Sequence, residues 1–226
     1  ESDPSKINVL LSAARTESVE ARVAALDAGG FDAKVIDVES YAISRAFDLT
    51  LRQLPDDAAD KVVATVDLGA TMTLFSVTEA SKHIYSRDQL FGGEQYTRAI
   101  VSYYNKSFED AELAKLTNDL PANYTFEVLA PFHTILVQQI RRAIQMFLTT
   151  SGQEKIDYLV ISGGSALVEG IEQLLTEELA IHTVIANPFS GMEISTKIDQ
   201  EQLVKTAPRL MVAAGLALRS FVPWHI

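Results

Sequence analysis

Asp67 closes an apolar, β-branched run that starts at Lys61, in KVVATVDLGATMTLFSVT; Gly69 and Ala70 follow it, then a second β-rich run from Thr71 to Thr78. The pattern predicts strand, tight turn, strand, with an acid at the turn. A glycine there lets backbone amides approach an anion closely. An Asp at the strand end can hold a phosphate-bound metal ion. Taken alone, the plainer reading is a hairpin whose Asp-x-Gly only makes the turn. Two more glycine pairs follow predicted strands, Gly92-Gly93 and Gly163-Gly164, the latter with Ser165 after it. Each is singly explained as a tight turn. Glu112 and Lys115 lie three residues apart and share one face of a predicted helix. Three glycine turns, Asp67 and that charged face together point to a nucleotide site, in which glycine-turn amides meet phosphates. None has the spacing of a P-loop or a Rossmann fingerprint.

Other chemistry is sparse. His83, His133, His182 and His225 are scattered without metal-ligand spacing and read as surface or packing residues. Ser162 and Ser165 flank glycines, but there is no Gly-x-Ser-x-Gly and no base. Arg141-Arg142 reads as a solvated face and Tyr103-Tyr104 as core plus rim. There is no cysteine, hence no disulfide and no thiol nucleophile. The 226 residues carry a formal net charge of −11, which argues against nonspecific nucleic-acid binding and against docking on anionic lipid. No apolar run reaches transmembrane length and no signal peptide is visible. The chain opens Glu1-Ser2-Asp3-Pro4 without an initiator Met, so a fragment of a longer protein is expected.

The elements that must position these residues follow from periodicity. Lys6 to Ala14 and Phe31 to Val38 read as strands. Thr16 to Gly30 reads as a helix capped by Thr16 or Ser18, with an apolar stripe of Val19, Val23 and Leu26. Glu39 to Phe47 is a short helix and Leu49 to Asp60 a surface connection. After the Asp67 hairpin, Lys82 to Phe91 extends a meander and Glu94 to Tyr104 is helical. Ser107 caps a helix that carries Glu112 and Lys115. Pro131 to Thr150 is the strongest helical pattern, with Phe132, Leu136, Ile140, Ala143 and Phe147 on one stripe. Ile156 to Ser162 is a buried strand, Gly170 to Leu179 a helix, Thr183 to Ala186 a short strand, Ser190 to Gln200 a loop, and Pro208 to Leu218 an apolar helix.

In that order the motifs resemble the actin-like ATPase superfamily of actin, Hsp70 and FtsA, an α/β, ribonuclease H-like fold. Val66-Asp67-Leu68-Gly69-Ala70-Thr71 resembles its second phosphate motif, and Phe91-Gly92-Gly93 the start of its insert subdomain. Ala111-Glu112-Leu113-Ala114-Lys115 is similar to its ribose-and-base face, Ile161-Ser162-Gly163-Gly164-Ser165 to its adenosine motif, and Ala214-Gly215-Leu216-Ala217 to its C-terminal connection helix. Glu39 falls where the superfamily places an acid near the metal-bound water. Within the superfamily, IDVESYAISRAF, DLGATMTLFSV, YSRDQLFGGEQ, YLVISGGSALVEGIEQLL, VIANPF and APRLMVAAGLALRSF resemble the PilM family of type IV pilus assembly proteins.

The resemblance implies the end of a first lobe in residues 1–60 and a second lobe in 61–222. The second lobe would comprise subdomain 2A (61–91 and 152–207), insert subdomain 2B (92–151) and a connection helix (208–219). The family's first phosphate hairpin is absent from the chain. The implied cofactors are ATP and Mg²⁺ in the full-length protein, with Asp67 acting on the metal through water. The implied nucleotide contacts are Gly69, Ala70, Thr71, Gly92, Gly93, Glu112, Lys115, Gly163, Gly164 and Ser165. Glu39 or Asp67 would position any hydrolytic water. No dedicated general base is visible, so turnover is expected to be weak or absent. The implied partner is the N-terminal cytoplasmic peptide of the inner-membrane protein PilN, in a groove whose remainder lies in Lys6 to Phe47, alongside other pilus assembly proteins and motor ATPases. The implied location is cytoplasmic, peripheral to the inner membrane through partners, without membrane insertion. Loss of first-lobe cover over the Pro208 to Leu218 helix predicts self-association of the chain. The alternatives are a same-fold enzyme such as a sugar kinase, or an FtsA-like filament protein.

Overall fold

The computed structural model describes residues 11–55, 57–117 and 119–221. The chain divides into two units, Glu1–Glu39 and Ser40–Ile226. In the first, helix α1 (Thr16–Ala28) buries no residue. Neither Thr16 nor Ser18 caps it; Arg15 holds the N-cap position without a side-chain bond. The predicted glycine stop does form: Gly30 N–H donates to Asp27 O at 3.0 Å and Phe31 N–H to Leu26 O at 2.9 Å, closing the last carbonyls. Of the first predicted strand, residues 6–10 lie outside the described residues, and Leu11 to Ala14 adopt no regular structure. Phe31 to Val38 is not a strand either. Phe31, Ile36 and Val38 are exposed, Phe31 at 68%. Apolar alternation makes a strand only where a neighbouring strand completes the ladder, and none pairs with this segment among the described residues.

Helix α2 (Glu39–Thr50), all but its first residue in the second unit, runs past its predicted end at Phe47. The segment that follows is not wholly surface: Leu54 and Ala58 are buried, each beside a short 3-10 turn. Strands β1 (Val62–Leu68), β2 (Thr73–Glu79) and β3 (Lys82–Gln89) form the predicted meander. Next come α3 (Gly93–Tyr104) and α4 (Phe108–Thr117), with Ser107 Oγ accepting from Asp110 N–H at 3.0 Å as the predicted cap. Helix α5 (Ala130–Ser151) continues from a π-helical turn, Thr125–Leu129, with Pro131 just past the join, where its missing N–H interrupts the regular α-helical ladder. Strand β4 (Tyr158–Ser162), α6 (Ile171–Leu179) and β5 (His182–Ile185) follow. A short helix not foreseen in the sequence, α7 (Gln200–Thr206), is capped by Asp199. It leads through a 3-10 turn, Ala207–Leu210, into α8 (Met211–Leu218).

The five strands make one sheet in the order β3-β2-β1-β4-β5, with β1–β2–β3 antiparallel and β1–β4–β5 parallel. Helices α3 to α5 are inserted between β3 and β4. β1 is central and buried on both faces, as a mixed sheet requires. Val66 and Leu68 pack with Phe132, Leu136 and Phe147 on one side. Val63 packs with Phe47 and Met211 of α2 and α8 on the other. Among the described residues no helix is long and apolar enough to cross a membrane.

Asp157 ties β1 to β4 at the end remote from Asp67. It accepts from Val62 N–H at 3.1 Å, and its own N–H donates to Val62 O at 2.8 Å. Burial pushes its carboxyl up. The Lys155 and Val62 hydrogen bonds and the nearby lysine charges outweigh that and hold it below the usual carboxylate range. A carboxyl with a depressed folded pKa contributes stability that is full above its unfolded value, about 3.9, and is lost as pH falls through the folded value. Asp157→Asn is therefore expected to cost about 1–2 kcal/mol at pH 7. Urea unfolding from pH 7 down to pH 2 should show the difference from wild type shrinking at the acid end; a constant difference contradicts it.

Candidate functional site

The tip of the β1–β2 hairpin, the turn after β4 and one face of α4 meet at a cleft of about 640 Å³. From the hairpin come Gly69 and Ala70, from the start of α3 Gly93, from α4 Glu112 and Lys115, and from the β4 turn Gly164 and Ser165. These are all residues singled out from the sequence. Asp67, Thr71, Gly92 and Gly163 are not in the lining but lie close in the chain to residues that are. Glu39 is exposed at the start of α2 and belongs to the first unit.

Parallel pairing sets Asp67 beside Ser162, and Ser162 Oγ donates to Asp67 Oδ1 at 2.7 Å. That bond fixes the carboxylate at the strand end. The hairpin tip leans on the start of α3: Gly93 N–H donates to Gly69 O at 3.0 Å and Glu94 N–H to Ala70 O at 2.8 Å. A Cβ at Gly92 would stand 2.4 Å from Ala70 O, so only glycine permits this approach. The amides that open α3 are thus used within the fold. The Gly69 N–H, expected among the phosphate donors, is taken by Met72 O at 3.0 Å. Ala70 and Thr71 are exposed, and among the described residues their N–H groups donate to nothing. Such amides take water or an anion.

On α4, Lys115 Nζ lies 2.5 Å from Glu112 Oε1 and donates to Thr97 Oγ1 at 2.7 Å. The Thr97 hydroxyl in turn donates to Glu112. Burial pushes the Glu112 carboxyl up, but the Lys115 and Thr97 hydrogen bonds and the Lys115 charge together hold it below the usual carboxylate range. The group is an anion at neutral pH, suited to accepting from hydroxyls. Lys115 also stands 5.8 Å from the centre of the Tyr96 ring. Phe132 of α5 stacks on Tyr96 at 4.9 Å and holds it in place. Burial and then a hydrogen bond with Tyr124 push the Tyr96 phenol well up, so it remains neutral.

Sequence reasoning missed the rest of the lining. Tyr96, Phe108, Leu116, Tyr124, Leu167 and Val168 make its apolar walls, and Glu94, Glu169 and Arg209 its remaining charges. The apolar residues carry the same signal as core residues. Arg209 did carry one, as a charge inside the otherwise apolar run from Pro208 to Leu218. Among the described residues no cluster of three His, Asp or Glu could hold a metal ion. Asp67 nevertheless fits the way Mg²⁺ is bound to nucleotides, through one or two carboxylates plus phosphate oxygens.

A mixed five-stranded sheet, a helical insertion after the third strand and a cleft walled by glycine turns define an actin-like α/β protein. Solved structures agree on that fold. Ethanolamine utilization protein EutJ from Carboxydothermus hydrogenoformans is 17% identical with a TM-score of 0.61, over 95% of this chain and 62% of that one. MreB 5 of Spiroplasma citri bound to AMPPNP is 14% identical with a TM-score of 0.56, over 92% of this chain and 65% of that one. The family model of the type IV pilus assembly protein PilM matches residues 1–221, and the chain belongs to that family. A structure of a PilM-PilN type IV pilus biogenesis complex is 27% identical with a TM-score of 0.78, covering 93% of this chain and 60% of that one. The chain thus spans about three-fifths of the length of that relative.

Proposed function

We propose that the cleft binds ATP in the full-length protein, and that the protein is a nucleotide-dependent scaffold of type IV pilus assembly rather than a fast ATPase. The observation that carries the reading is the pair of unpartnered Ala70 and Thr71 amides at a hairpin tip beside the hydrogen-bonded Asp67 carboxylate. In this reading those amides take phosphate oxygens. Glu112, positioned by Lys115 and Thr97, accepts from the ribose hydroxyls. Gly164 supplies a bare backbone wall for adenosine, since a Cβ there would meet nothing within 4 Å. Asp67 would hold Mg²⁺, which would supply positive charge against the phosphates. The subdomain assignment is proposed on the same footing: residues 61–91 and 152–207 carry the sheet, and 92–151 form the insert.

The N-terminal cytoplasmic peptide of PilN is the proposed partner, supported by family membership and by the likeness to a PilM-PilN complex. A cytoplasmic site of action follows from that partner.

Titration of a fluorescent ATP analogue into the full-length protein tests the reading. Asp67→Ala is expected to weaken Mg·ATP binding at least tenfold, about 1.4 kcal/mol, while changing metal-free ATP binding much less. Equal losses with and without Mg²⁺ would place Asp67 in folding rather than in the site. Sugar-stimulated ADP release in a hexose screen would favour the kinase alternative.

A further inference from the structure

The charged groups of the cleft are not equally available to a ligand. Lys115 is neutralised by Glu112, hydrogen-bonded to Thr97 and set over the Tyr96 ring. Glu94 is paired with Arg98. Arg209 differs: among the described residues its side chain makes no ion pair and no hydrogen bond, and it is exposed at the cleft. Its backbone, by contrast, is anchored. Ala207 and Pro208 are buried, and Pro208 O accepts from Gly163 N–H at 2.8 Å. The 3-10 turn that carries Arg209 packs against the Gly164–Leu167 turn, and Arg209 lines the cleft together with Leu167 and Val168. An arginine on a rigid base, with a free planar head next to an apolar wall, is built to cover a flat aromatic ring. A free cation at a pocket is also notable in a chain of net charge −11, where nearby carboxylates are plentiful and none has paired with it.

We infer that Arg209 is the side chain that lies against the nucleotide base in this cleft, a role resting on the reading of the cleft as an ATP site. Two features separate the base end from the phosphate end. The unpartnered amides lie at the hairpin, with Asp67. The Arg209 turn is tied instead to the glycine turn after β4, which contributes Gly164, Ser165 and Leu167 to the lining. A guanidinium stacked on the base acts on ligands that carry a base and is indifferent to phosphate number.

The test uses the full-length protein and three probes: ATP, adenosine and inorganic tripolyphosphate. Arg209→Ala is expected to weaken ATP and adenosine by the same factor, about tenfold, and to leave tripolyphosphate unchanged. Arg209→Lys, which keeps the charge but lacks the planar face, should recover little of the loss. Arg141→Ala, a charge-matched change on α5 outside the cleft, should alter none of the three. Thermal unfolding of each variant must match wild type within about 2 °C, as for any exposed substitution. Loss of tripolyphosphate binding together with ATP, while adenosine is unaffected, overturns the assignment to the base. Wild-type ATP affinity in Arg209→Ala overturns the role of Arg209 and leaves the ATP reading standing. A wild-type protein that binds none of the probes overturns both.

Discussion

Gly163→Ala is expected to lower stability by about 4 kcal/mol and the melting temperature by roughly 8–16 °C. Gly163 follows β4 with φ 86° and ψ 177°, a backbone conformation essentially confined to glycine. Holding an L-residue there costs about 1–3 kcal/mol. The position is also closed: a Cβ would stand 2.5 Å from Leu68 O and 2.8 Å from Leu68 N. Those atoms belong to the central strand and cannot step aside, and overpacking of this kind costs a further 1–3 kcal/mol or so. Gly163 N–H also holds the Arg209 turn through Pro208, so displacement should disturb the cleft as well as the core. Gly164→Ala is the internal control. It is exposed with an open Cβ direction, and its cost should stay within about 0.5 kcal/mol. Urea denaturation of the two variants side by side decides the matter; equal stabilities would mean that the turn is not held as described.

Gly215→Ala should also destabilise, by about 3 kcal/mol, against the direction that helix propensity alone predicts. In an exposed helix the change would gain roughly 1 kcal/mol. Here α8 crosses α2 so closely that a Cβ at 215 would stand 1.7 Å from Ala42 O and 2.4 Å from its carbonyl carbon. Ala42 is fully buried, and Arg45 Nε donates to Gly215 O at 3.1 Å across the same crossing. Relief requires the two helices to separate, loosening Phe47 and Met211 over the sheet. The melting temperature should fall by roughly 6–12 °C. A rise on calorimetry would show that propensity rules the site and that the helices are not in this contact.

The sequence alone determined the local elements and the chemical types gathered at the site. The Asp67 hairpin, the Ser107-capped helix, the long α5 stripe and the turn after β4 are legible because periodicity, caps and glycines act over a few residues. So is the Glu112–Lys115 face, since helical spacing makes these two side chains neighbours before any tertiary contact. The PilM likeness rested on those same short motifs in order, and it held over residues 1–221.

Tertiary structure alone decided which groups remain free. The first amides of α3 are taken by the Gly69 and Ala70 carbonyls of the hairpin, 24 positions back. Ser162 becomes the partner of Asp67 through strand pairing across 95 positions, and Arg209 enters the cleft because Pro208 binds Gly163. Phe31 to Val38 illustrates the same limit from the other side: its pattern is strand-like, but a ladder needs a neighbour. Hydrogen-bond pairing and exposure depend on partners distant in the chain, and short-range spacing carries no record of them.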